Sequence, residues 1–469
     1  MMKLSMRAAR TAAFCVAAGA LLAVAPPAPT RASAQQAPAG TTTLFEGARL
    51  IAGNGGPPIE ESAFIVEGRS FTRVGRRGEV QAPAGAARVD LSGTTVIPGL
   101  VDAHSHIGYM KHLTSGAENY TRENILDHTR RFAYFGVVAS QAMGSDFGEL
   151  PFQLREETLA GKHPDAARFL TAGRGLAPLS EISPDNMRQA AYAVTTPAGA
   201  RASVLELASR KVPIVKTWVD DRGGAIKPLP PELYTAIIDE AHRNKLRVAV
   251  HATDLQQAKA LLRANIDIFA HMIGDVDAEL VALFKQHPGT VVLSALGGPH
   301  RAVYAPWLSP VHPLIAETVL PDQIARLQRR FPLAGAERAP AQVTWDRLAK
   351  GIAQLHAAGV PIGVGTDGGG QQGDQFIGWT MHTEMENLVM AGLTPAQALV
   401  AATKTSAEVL GLNDLGTIAA GKSADFVVLD ANPLDDITNT RRIARVFLRG
   451  AEIDRARLRA AFLPGRTPD

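Results

Sequence analysis

Six side chains able to bind a metal stand at the ends of short apolar runs. The run from Val96 through Pro98, Gly99, Leu100, Val101, Asp102 and Ala103 leads into His104, Ser105 and His106. Val212-Pro213-Ile214-Val215 ends in Lys216, and Val248-Ala249-Val250 ends in His251. Ile266-Asp267-Ile268-Phe269-Ala270 ends in His271. Ile362-Gly363-Val364-Gly365-Thr366 ends in Asp367, and Gly368, Gly369 and Gly370 follow. In an extended chain, residues i and i+2 turn to one face, so His104 and His106 project together. Two neutral imidazoles side by side suit a divalent cation. The one cysteine is Cys15, inside the segment read below as a leader, so any ion in the mature chain must be held by nitrogen and oxygen donors.

Residues this far apart meet only if the fold gathers the ends of their strands. From Pro98 to about Leu412, short apolar runs alternate with helix-length amphipathic stretches, the pattern of a parallel sheet with crossover helices. Eight strands are predicted, ending near His104, Ala142, Ala172, Lys216, His251, His271, Ala295 and Asp367. The fold class is therefore α/β, a (β/α)8 TIM barrel, whose strands carry their C-terminal ends to a common mouth where active sites lie. Pro231 predicts a helix start, with Leu233, Ile237, Ile238 and Ala241 on one face. Another helix runs through Ala258, Leu261 and Leu262. The connection from about Leu296 to Ala358 is long and holds Pro299, Pro306, Pro310 and Pro313, with one helix predicted from Pro321 to Arg330. A connection of that length predicts a lid over the mouth. After a helix around Met381 to Met390, Thr394-Pro395-Ala396-Gln397 supplies an N-cap, an N1 proline and a capping-box glutamine.

The two ends read differently. From Leu44 to Val96, and again from Leu415, β-like runs alternate with glycine-rich turns. They predict a small β-sandwich domain formed from both termini: residues 35–97 and 415–469, flanking a barrel over 98–414. Residues 1–34 read as a secretory signal peptide. Lys3, Arg7 and Arg10 precede an apolar run from Thr11 to Val24, and Ala32-Ser33-Ala34 supplies a cleavage pattern. The mature chain is expected to begin near Gln35, in the periplasm or outside the cell, with no stable membrane insertion. Apolar residues make up 46% of the 469 and charged residues 20%, a globular composition. The leader carries Lys3, Arg7, Arg10 and Arg31 and no acid, so its removal takes the formal charge from +3 to −1. No nucleic-acid partner is expected of such a chain.

With these residues in place, the chain resembles the amidohydrolase superfamily. The resemblance covers nearly the whole mature sequence. It rests on the Pro98-to-His106 run, the later strand-end residues, and Gly421-Lys422-Ser423-Ala424-Asp425-Phe426-Val427-Val428-Leu429. It implies that His104 and His106 bind the more buried ion and His251 and His271 the second. Asp367 would contact the first ion and act as general acid and base. A protonated lysine cannot bind a cation; the resemblance implies that Lys216 is carboxylated and bridges two divalent ions, zinc being the expected metal. That pattern is similar to the binuclear branch of Xaa-Pro dipeptidases and ochratoxin-hydrolysing amidases. In the dipeptidases Ser-Gly-Gly often follows the lysine closely, whereas here Thr217-Trp218-Val219-Asp220-Asp221-Arg222 precede Gly223-Gly224. The alternative for Lys216 is a strand-end cation paired with Asp220 or Asp221.

Tyr109, Arg174, Trp218 and His300 are candidate substrate contacts, each with a structural role as its alternative. His128, His163, His242, His287 and His356 read as solvated. The expected reaction is hydrolysis of an amide in a small peptide or an N-acyl amino acid by metal-activated hydroxide. Alternatives are a one-metal cyclic-amide hydrolase resembling imidazolonepropionase, a lactone or phosphotriester hydrolase, and a secreted metal-binding scaffold with no catalysis. The expected partner is a small-molecule or short-peptide substrate, and a homo-oligomer is left open.

Overall fold

The alternating runs become parallel strands joined by helices. A computed structural model describes residues 42–178, 185–221, 226–370 and 376–463. The leader expected over 1–34, and residues 35–41, lie outside the described residues. Strand one is Leu100–Ser105, strand two Val137–Ala142, and strand three Arg168–Thr171, continued by Gly175–Ala177. Strands four to eight are Ile214–Trp218, Arg247–His251, Ile268–Phe269, Val291–Leu293 and Ile362–Gly363. Strands one, two and four are buried at every position, as parallel strands covered by helices must be.

Strand two pairs in parallel with strands one and three, and strand four pairs with the continuation of strand three. Strands four to eight then pair in chain order. Strand eight returns to strand one: Ala103 N donates to Val364 O at 2.9 Å, and Thr366 N to His104 O at 3.0 Å.

The helix Pro231–Arg243 buries Leu233, Ile237, Ile238 and Ala241, the face its sequence predicts. Leu255–Arg263 is capped by Asp254. Thr394 and Gln397 form the predicted capping box, with Thr394 N donating to Gln397 Oε1 at 2.8 Å.

The stretch from Leu296 to Ala358 differs from the sequence expectation. Besides Pro321–Arg330 it contains the 20-residue helix Arg338–Ala357. Pro340 lies in its first turn, where backbone N–H groups have no intrahelical acceptor and proline is tolerated. Gly351 lies where the helix passes a backbone: a Cβ there would sit 2.9 Å from Ile273 O. Both residues interrupt the helical pattern in the sequence, Pro340 by its place in the first turn and Gly351 by the backbone it passes. Gln323, on Pro321–Arg330, donates to His112 O at 2.6 Å, so this segment reaches from strand seven across to the loop after strand one.

The terminal segments form two sheets. Thr42–Glu46, Ser62–Glu67, Ser70–Arg76 and Ala87–Asp90 make one. The other joins Arg49–Leu50 and Thr95–Pro98 to Phe426–Leu429, Ile443–Leu448 and Ala451–Glu452. Phe45, Phe64 and Phe71 from the first share one apolar cluster with Phe426 and Phe447 from the second. Phe426 and Phe447 stack with centroids 4.2 Å apart, and Phe45 meets Phe426 edge-on at 5.3 Å. Arg168, opening strand three, donates to Asp425 at 2.8 and 3.0 Å and ties this layer to the parallel sheet. Among the described residues no helix is long and apolar enough to cross a membrane.

Candidate metal centre

His104 lies near the end of strand one and is fully buried; His106 follows one residue beyond that strand. Asp367 follows strand eight in a left-handed conformation, φ +57°. Aspartate tolerates that region better than most side chains do. The glycines after it fit tightly: a Cβ on Gly369 would meet His106 O at 2.7 Å. His106 Nε2 lies 2.9 Å and His104 Nε2 3.4 Å from Asp367 Oδ1, and one donor atom from each residue falls within 4.8 Å of the others. The ring centroids of His104 and His271 are 4.8 Å apart, and those of His271 and His251 are 4.3 Å apart. The strand ends thus bring four imidazoles and a carboxylate into one chain of contacts.

Lys216 sits within strand four and is fully buried, so it is no surface cation. Its Nζ lies 5.2 Å from the centre of the Trp218 ring. Gly144 makes room for it, since a Cβ there would sit 2.7 Å from Lys216 Cγ. Burial, then the positive charge of Lys216, hold the His104 pKa well below the usual histidine value. Burial and the neighbouring His251 and His104 do the same for His271. Both rings are therefore neutral and able to act as ligands. Burial raises the pKa of Asp367, but the hydrogen bond and charge of His106, with His104 and His271, outweigh it and hold the carboxyl well below the usual range. Among the described residues, buried His104 Nε2 has no hydrogen-bond partner. Neutral imidazoles, an ionised carboxylate and an inward-facing, unbonded ring nitrogen make a donor set that fits divalent ions.

Contacts outside the cluster were not legible beforehand. His104 Nδ1 lies 2.9 Å from Ala270 O, and His106 Nδ1 lies 2.7 Å from Ser145 Oγ. Tyr120 donates its hydroxyl to Ser145 O. Asp220 Oδ2 is 3.4 Å from His251 Nε2. Glu384 accepts from Ser294 Oγ at 2.6 Å and Leu296 N at 3.0 Å, and burial pushes its pKa up to about 7. Nothing in the sequence marked Glu384, which is one of two acids, with Glu386, in the mixed stretch from Met381 to Leu388.

The remaining candidates fall in different places. Trp218 points into the same region as Lys216 and packs so closely on Gly175 that a Cβ there would lie 2.1 Å from its ring. Tyr109 is buried, its ring centroid 6.4 Å from that of His106. Arg174 lies over the Tyr192 ring at 4.4 Å and donates to Ala191 O at 2.6 Å. His300 is buried on the helix Gly297–Val303, against Tyr304 at 5.2 Å and Trp345 at 5.3 Å. Its ring is thus enclosed by the helix Arg338–Ala357 that the sequence left unseen. His128, expected to be solvated, is buried and accepts from Gly108 N at 3.0 Å; burial lowers its pKa to about 4.

Residues 95–453 match the model of the Amidohydrolase family. An uncharacterised protein of Mycobacterium tuberculosis is 28% identical over 380 residues, covering 79% of this chain and 86% of its own. An imidazolonepropionase of Cereibacter sphaeroides is 26% identical over 388 residues, covering 80% and 89%. Among solved structures, phenylurea hydrolase B superposes with a TM-score of 0.72 at 22% identity, over 91% of this chain and all of that one. A Xaa-Pro dipeptidase with bound methionine gives 0.70 at 21% identity, over 88% of this chain and all of that one. These likenesses show a TIM-barrel-like α/β fold.

Proposed function

The chain belongs to the amidohydrolase family and is a hydrolase, and we propose that it cleaves an amide bond in a small peptide or an N-acyl amino acid. The proposed centre holds two divalent ions, zinc the expected metal. His104, His106 and Asp367 would hold one ion, His251 and His271 would hold the other, and Lys216, as its carbamate, would supply a carboxylate to both. Lys216 carries this reading. Lys216 is fully buried beside His104 and His271, among the proposed ligands and not at the surface. Carbon dioxide added to its Nζ would turn it into the carboxylate that two ions need. When bound, the ions lower the pKa of a water and polarise the scissile carbonyl.

The chain's own residues supply the proton steps and the pocket. Asp367, ionised beside His106, takes the proton of the attacking water and returns it to the leaving amine. Trp218 beside Lys216 and Tyr109 beside His106 are the proposed pocket walls, and Arg174, with its guanidinium over Tyr192, is a further proposed substrate contact. The connection from about Leu296 to Ala358 is read as the lid, and the bond from Gln323 to His112 O supports that role. The eight parallel strands are read as a closed (β/α)8 barrel over 98–414. The two terminal sheets, 35–97 and 415–469, are read as a sandwich, which the shared phenylalanine cluster supports. Residues 1–34 are read as an export leader, so the mature protein begins near Gln35; N-terminal sequencing of exported protein tests this.

Metal analysis beside a screen of dipeptides, N-acyl amino acids, lactones and phosphotriesters tests the function. Two ions per chain and amide turnover are expected. One ion with turnover of a cyclic amide would favour the imidazolonepropionase-like alternative, which the relative from Cereibacter sphaeroides supports.

A further inference from the structure

An imidazole has two nitrogens and, when neutral, one proton. The group that engages the outer nitrogen decides which nitrogen is left for an ion. His104 turns Nδ1 to Ala270 O at 2.9 Å, which leaves Nε2 facing Asp367. His106 turns Nδ1 to Ser145 Oγ at 2.7 Å and also presents Nε2. His251 is the reverse case. Its Nε2 lies at ion-pair distance, 3.4 Å, from Asp220 Oδ2, a carboxylate outside the proposed ligand set, whereas the carboxylate that faces His104 and His106 is the proposed ligand Asp367. We infer that Asp220 is a positioning residue for His251: it accepts the Nε2 proton and so commits Nδ1 to the second ion. This inference rests on the two-ion reading above.

Asp220 stands where that task requires. Strand four pairs Trp218 with His251, and Val219 N donates to His251 O at 3.3 Å. Strand four ends at Trp218, so Asp220 lies two residues beyond it, just past the level of His251. The side chains of Asp220 and His251 are each about one-fifth exposed, at 20% and 19%. His251 is thus more open than fully buried His104, and packing alone holds its ring less firmly. A carboxylate supplies the missing constraint, because a charged acceptor binds a ring N–H more strongly than a neutral one does. The arrangement is a carboxylate–histidine pair aimed at a metal site, of the kind that fixes tautomer and ring orientation.

The test uses the full chain with 15N-labelled histidine, free of metal, and reads each ring's tautomer by long-range 1H–15N NMR. A His251→Gln variant assigns the His251 signals. In the parent, His251 is expected as the Nε2–H tautomer. Asp220→Ala should populate both tautomers, and Asp220→Asn should keep the parent pattern, because its side-chain oxygen still accepts. Zinc titration alongside should show the weaker-bound ion losing about 10- to 100-fold in affinity in Asp220→Ala, the usual loss for an outer-shell partner. The tighter ion should be unchanged. Parent-like tautomers and zinc affinities in Asp220→Ala would overturn the inference. If the parent itself takes up fewer than two ions, the two-ion reading fails, and the tautomers of the metal-free protein still decide the role of Asp220.

Discussion

Thr366 donates its hydroxyl to Asp102 Oδ2 at 2.6 Å, joining strand one to the strand-eight end. The other carboxylate oxygen of Asp102 accepts the backbone N–H groups of His104 and Thr366, each at 3.1 Å. One buried carboxyl thus fixes the spacing between the His104–His106 pair and Asp367. Asp102→Ala would leave two buried N–H groups without this acceptor, which costs about 1–3 kcal/mol. A lower denaturant midpoint and weaker zinc uptake are expected. A parent-like midpoint with full zinc content would show that the strands hold their register without this clamp.

His104→Ala and His106→Ala should each remove a ligand that nothing nearby replaces. Activity is expected to fall below detection, and zinc affinity by more than the roughly 10- to 100-fold that follows loss of an outer-shell partner. Circular dichroism should stay close to the parent spectrum. Full turnover in either purified variant would refute the assignment.

Lys216→Ala should lose both metal and rate. Acetate or propionate is expected to restore part of the activity by standing in for the missing carboxylate. Lys216→Glu should keep some metal on its shorter stem. Lys216→Arg should keep none, since guanidinium stays charged and offers no lone pair. Two ions and normal turnover in Lys216→Arg would end the binuclear reading.

Gly175→Ala would place a methyl 2.1 Å from Trp218 Cζ3 and 2.7 Å from Cη2. The indole must shift, and overpacking of this kind costs about 1–3 kcal/mol. Tryptophan fluorescence should change with the midpoint, and substrate affinity should fall if Trp218 walls the pocket. An unchanged emission spectrum would mean that the ring is not held there.

Arg168 and Asp425 form a bidentate pair that is nearly fully buried, with side chains 8% and 1% exposed. Removing one partner strands the other charge, at a cost of about 3–5 kcal/mol. Arg168→Ala should therefore lower the unfolding midpoint sharply without removing any metal ligand. Zinc content measured at a temperature where the variant is folded should match the parent.

The sequence alone picked out residues near the strand ends, though strand four runs past Lys216 to Trp218, strand six stops at Phe269 before His271, and strand eight stops at Gly363 before Asp367. Apolar runs ending in His104, His106, Lys216, His251, His271 and Asp367 are local patterns, and strand alternation sets the facing of neighbours such as His104 and His106 without reference to the rest of the chain. Helix starts such as Pro231 and the Thr394–Gln397 capping box were legible for the same reason, since each is decided within one turn of chain. Only the tertiary structure decided what stands behind the ligands. Ser145 meets His106, Asp220 meets His251, and Thr366 meets Asp102 because distant strands lie side by side, and no local pattern names a partner across a sheet. The same holds where expectation and structure part. The helix Arg338–Ala357 is hidden by Pro340 and Gly351, and its Trp345 is among the residues that bury His300. Burial depends on what packs against a side chain, and that is settled by the whole fold.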